Sequence, residues 1–76
     1  MSGSMAKRFL VVIEDAGGNY SAYSPDLPGC VATGGTRDEA EANMQSAIRL
    51  HLEGLAEDAE PLPEPRASAA YVSVDG

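Results

Sequence analysis

The apolar positions of this chain change their spacing from segment to segment, and each change predicts an element. From Lys7 to Asp15 they are continuous: Phe9-Leu10-Val11-Val12-Ile13 is a β-branched run closed by Ala16-Gly17-Gly18. That run predicts a central strand covered on both faces, one by a helix and the other by a second layer that this chain does not contain. Asn19 to Ser24 alternates aromatic and small residues after a short Gly-Gly turn, and is expected to pair with the first strand as a hairpin. Pro25-Asp26-Leu27-Pro28-Gly29 then interrupts the ladder, because two prolines fix φ and withdraw two backbone donors. A third short strand is expected over Cys30 to Thr33.

The period lengthens after Thr36. Thr36-Arg37-Asp38-Glu39 is a capping box, in which the hydroxyl reaches the backbone of Glu39 and the Glu39 carboxylate reaches back. The helix it opens runs to about Glu57, with Ala40, Met44, Ala47, Ile48, His51, Leu52 and Leu55 on one arc facing the sheet. Pro61, Pro63 and Pro65 exclude helix and predict an extended connection back across the sheet. A last strand is expected over Ala69 to Asp75. The fold class is therefore α+β, in the order β-β-β-α-β. Residues 1–5 are expected to be an expression scar or disordered start, with a single domain over residues 6–76.

Length changes the picture by limiting the core. A chain of 76 residues buries only about 60% of the surface it exposes when unfolded, so self-association into a homodimer or homotetramer is expected. The net charge of -7, from 12 acidic and 5 basic residues, disfavours phosphate backbones. The cations are scattered in sequence, which argues against direct nucleic-acid binding; an acidic surface suits a basic partner. One cysteine, Cys30, permits no intrachain disulfide and makes the cytoplasm the expected compartment. No apolar run is long enough for a membrane span.

Between Tyr20 and Ala47 the chain resembles a known family. Tyr20-Ser21-Ala22-Tyr23-Ser24-Pro25-Asp26-Leu27-Pro28-Gly29-Cys30, then Gly35-Thr36-Arg37-Asp38-Glu39-Ala40, with Asn43 and Ala47, is similar to the HicB antitoxins of type II toxin–antitoxin systems. The resemblance extends from about Arg8 to Pro65. It implies a partial ribonuclease-H-like sheet of order 3-2-1-4 with one helix on one face. It also implies a partner, a small basic HicA-like toxin that cleaves messenger RNA and whose RNA-binding and catalytic face the antitoxin covers. Many full-length relatives carry a C-terminal DNA-binding domain, which is not expected within these residues.

The residues that could do chemistry have plainer readings. His51 lies in the apolar arc with no nucleophile or orienting group in its pattern, and reads as a packed structural histidine. Cys30, beside a tight turn, reads as a small buried residue. Glu14, Asp15, Asp26, Asp38 and Glu39 could be tested as a magnesium site, but the middle of the first strand, where two-metal nucleases of this topology need a carboxylate, is apolar. No catalytic residue, metal or cofactor is expected. Asp26 stays open between recognising a partner and capping its own turn. The expected partner-binding residues are Tyr20 and Tyr23, the loop residues Asp26 and Leu27, and the acidic rim Glu53 and Glu57. The alternative function is an oligomeric scaffold or small-ligand-binding protein without a toxin; a metal nuclease ranks below both.

Overall fold

The computed structural model describes residues 7–76; the scar expected over residues 1–5 lies outside the described residues. Three strands form an antiparallel sheet in the order β1-β2-β3: β1 Val12–Asp15, β2 Tyr20–Tyr23 and β3 Val31–Gly34. One helix, α1 Arg37–Glu57, packs on one face. The hairpin between β1 and β2 turns where Gly17 and Gly18 adopt φ of 82° and 132°. Asp15 accepts from the Gly17 N–H at 2.9 Å, and the Ala16 N–H donates to the Asn19 carbonyl at 2.8 Å.

The first strand is shorter than its apolar run for a physical reason. Val12 pairs with Tyr23, the last residue of β2. Continuing the ladder would set Val11 and Leu10 against Ser24 and Pro25, and proline has no N–H to give. The Pro25 to Gly29 segment instead folds as two successive turns. The Leu27 N–H donates to the Ser24 carbonyl at 3.1 Å and the Cys30 N–H donates to the Leu27 carbonyl at 3.0 Å. These turns drive Leu27 inward to 1% exposure.

The core is Ala22, Leu27, Cys30, Ala40 and Met44, with Phe9, Val11, Ile13, Tyr20, Ala32, Ala47, Ile48 and Leu52 packed around it. The helix can approach β3 because position 34 is glycine: a Cβ there would overlap the backbone of Ala40 and sit 2.8 Å from the carbonyl carbon of Glu39. Asn43 adds a tie, its side-chain amide donating to the Thr33 carbonyl at 2.8 Å.

Both helix ends are capped. The Glu39 N–H donates to the Thr36 hydroxyl at 3.0 Å, while the Glu39 carboxylate reaches past the cap residue to accept from the Gly35 N–H at 2.7 Å. At the other end the Glu60 N–H donates to the Leu55 carbonyl and the Ala59 N–H to the Ala56 carbonyl, a Schellman closure. It places Ala59 at φ 56°, where glycine is the usual occupant.

The fourth strand expected over Ala69–Asp75, and with it the order 3-2-1-4, does not appear. Among the described residues, 61–76 carry no ladder, and Tyr71, Val72 and Val74 are 105%, 80% and 83% exposed. A β-prone sequence becomes a strand only when an edge receives it, and this segment leaves the body after Ser68.

Candidate partner-binding surface

Strand register sorts the side chains onto two faces. Ile13, Ala22 and Ala32 form a row beneath the helix; the next row, Val12, Tyr23 and Val31, lies on the opposite face. Among the described residues no element covers that row. Val12 is half-buried, Tyr23 is 41% exposed and Val31 is 65% exposed. Glu14, Ser21 and Thr33 make the neighbouring polar row. The second layer expected over this face is thus not supplied by residues 7–76.

The apolar surface continues around the β3 edge. A shallow depression lined by Gly29, Cys30, Val31, Ala47, Leu50 and His51 joins the sheet face to the helix, where Leu50 is 68% exposed. Glu53 and Glu57 follow Leu50 at helical spacing and are exposed, so a strip of apolar contact is bordered by carboxylates.

The expected site residues separate in the fold. Tyr23, Glu53 and Glu57 lie on or beside this surface. Tyr20, three residues from Tyr23, points to the opposite face and packs on the core. Leu27 is core. Asp26 accepts from the backbone N–H groups of Arg66 and Ala67, both at 3.0 Å, pinning the proline-rich connection to the turn. Val31 and Leu50 were missed by sequence reasoning. The alternation of the third strand could have identified Val31, whereas Leu50 lies just off the apolar arc and resembles any surface leucine.

The cations are less scattered in space than in sequence. Lys7, Arg8 and Arg37 line a groove of about 860 Å³ between the start of the apolar run and the helix, with Phe9, Val11 and Ile48. Two of them are paired: Lys7 with Glu64 at 2.7 Å and Arg37 with Glu41 at 3.4 Å. The Lys7 hydrogen bond holds the Glu64 carboxyl below its ordinary value. Burial pushes the Cys30 thiol up, which disfavours the nucleophilic thiolate. Among the described residues no group of three or more histidines, cysteines or carboxylates could hold a metal ion, and no helix is long and apolar enough to cross a membrane.

Comparison with known proteins places relatives beside this geometry. The profile of the HicB-like antitoxins of bacterial toxin–antitoxin systems matches residues 9–75. An uncharacterized 14.9 kDa protein of Haemophilus phage HP1 is 38% identical over 63 residues, covering 83% of this chain but 47% of its own length. The chain thus spans about half of that relative. A UPF0150 protein of Thermoplasma acidophilum is 36% identical over 66 residues, covering 87% of this chain and 96% of its own length. A UPF0150 protein of Helicobacter pylori is 43% identical over 47 residues, covering 62% and 65%. No solved structure matches with significance.

Proposed function

The chain belongs to the HicB-like antitoxin family, and from that premise we propose that it is the protein-binding half of a toxin–antitoxin pair, neutralising a small basic HicA-like ribonuclease by covering its RNA-binding and catalytic face. The observation that carries the reading is the uncovered row Val12, Tyr23 and Val31, continued by Leu50 and bordered by Glu14, Glu53 and Glu57. Apolar side chains in the middle of a patch supply the affinity. Carboxylates at its rim, on a chain of net charge -7, steer a basic partner and disfavour RNA. A protein whose binding face is built to hold RNA is basic there, so an acidic competitor complements it.

The role is regulatory: the domain acts by occupying a surface, and RNA contact belongs to the toxin. The pairing of Lys7 and Arg37 with carboxylates fits this division, because it neutralises much of the groove's positive charge.

The test is to look beside this gene for one encoding a small basic HicA-like protein and to co-express the two, followed by RNA cleavage and binding in vitro. Restored growth, inhibited cleavage and mutually exclusive binding of RNA and this domain are expected. A stable ternary complex with uncleaved RNA overturns occlusion.

A further inference from the structure

The register fixes which backbone groups of β3 face outward. In the β1–β2 hairpin the Ala16 N–H donates to the Asn19 carbonyl at 2.8 Å, so alternation makes Glu14 with Ser21 and Val12 with Tyr23 the hydrogen-bonded pairs. Ser21 and Tyr23 therefore turn their backbone groups toward β1, while Tyr20 and Ala22 turn theirs toward Gly34 and Ala32 of β3. The N–H and C=O groups of Val31 and Thr33 are left pointing away from the sheet. Because β3 ends the order β1-β2-β3, no strand lies beside them among the described residues. With Val31 65% exposed, this is a β-branched apolar edge of the kind that templates strand addition from another chain.

The helix reaches this edge with two side chains. The Asn43 amide donates to the Thr33 carbonyl at 2.8 Å, and the Glu39 carboxylate accepts at 2.7 Å from the Gly35 N–H, the next group along the same side of the chain. A residue of a parallel neighbour strand lying opposite Gly34 would engage that same carbonyl and N–H. Glu39 and Asn43 sit at i and i+4 on α1, side by side, and offer one acceptor and one donor in its place. This also accounts for a departure from the usual capping box, in which the glutamate would bind the N–H of Thr36; here it passes that residue for Gly35. We propose that Glu39 and Asn43 stand in for a neighbouring strand and close the β3 edge to strand addition by another chain. Among the described residues the edge's open groups are then the Val31 N–H and C=O and the Thr33 N–H, too short a run to hold a strand.

The experiment uses the full chain, with the assembly state of the wild type as baseline. Asn43→Ala and Glu39→Ala/Asn43→Ala, folded by circular dichroism, are expected to form larger species than the wild type in sedimentation velocity, with the infrared band of intermolecular β-structure. Self-association should strengthen roughly two- to tenfold for each bond removed. Thr36→Ala weakens the same helix start but leaves both edge bonds in place, and is expected to sediment like the wild type. Adding Thr33→Pro should abolish the larger species, because the Thr33 N–H points outward and β2 does not need it. In the wild type itself, amide exchange is expected to be slow at Ala32, Gly34 and Gly35 and fast at Val31 and Thr33. Variants that sediment like the wild type, equal association in Thr36→Ala, association that survives Thr33→Pro, or uniform exchange along β3 overturns the proposal.

Discussion

Gly34 lies directly beneath Ala40, so closely that no side chain fits between strand and helix at this point. Gly34→Ala is therefore expected to lift the first helical turn and cost roughly 1–3 kcal/mol, as overpacking does. Gly35→Ala meets only the movable Glu39 carboxylate at 3.3 Å and is expected to cost less. Denaturant unfolding of the two variants side by side measures the difference.

Ala59 closes the helix at φ 56°. Ala59→Gly is expected to raise stability by about 1 kcal/mol, because glycine occupies the left-handed region without the Cβ penalty. At the opposite end, Thr36→Ala removes the hydroxyl that accepts from Glu39 and is expected to cost about 1 kcal/mol. Thermal melts of both variants check the pair of opposite signs.

Leu27 and Tyr23 are expected to part company. Leu27→Ala should cost roughly 2–5 kcal/mol of stability, because the side chain is core. Tyr23→Ala should leave the fold in place and weaken toxin binding by roughly 1–3 kcal/mol, mainly through faster dissociation. Charge reversal at Glu53 and Glu57 should instead slow association, the more so at low salt. Binding kinetics and unfolding curves on the same variants separate these effects.

The link between Lys7 and Glu64 predicts a pH dependence. The Glu64 carboxyl is held below the 4.5 of an unperturbed side chain, first by the Lys7 hydrogen bond and then by its charge. A depressed carboxyl contributes stability at pH values above its unfolded-state value and loses it as pH falls through the folded-state value. In Glu64→Gln, or as pH falls through that range, the protection of the Arg66 and Ala67 amides relative to their intrinsic exchange rates should fall while the sheet and helix keep theirs.

Much of this architecture was legible because it is local. The capping box fixed the helix start, the proline run bounded its end, and the Gly-Gly turn fixed the hairpin. What escaped depended on distant partners. The length of β1 is decided by Pro25, which ends the strand it pairs with. Tyr20 and Tyr23 read as one surface, although an odd spacing sends them to opposite faces of the sheet. Leu27 looked like a loop anchor because nothing local says that two consecutive turns will carry it inward. Lys7, Arg8 and Arg37 looked scattered because 29 positions separate Arg8 from Arg37 in the sequence. The last strand had the propensity but met no edge.

The Asp26 anchor has a kinetic consequence. Its hydrogen bonds join residues 40 and 41 positions apart, and the Lys7 bonds span 56 and 57, whereas the sheet pairs neighbouring strands and the Asn43 tie spans only 10. Closing short loops is faster than closing long ones, so the three strands and their helix should assemble as one early unit. The connection beyond residue 60 then docks last and, in the native state, opens first. Proteases meeting the folded chain should cut there before they reach the sheet or the helix.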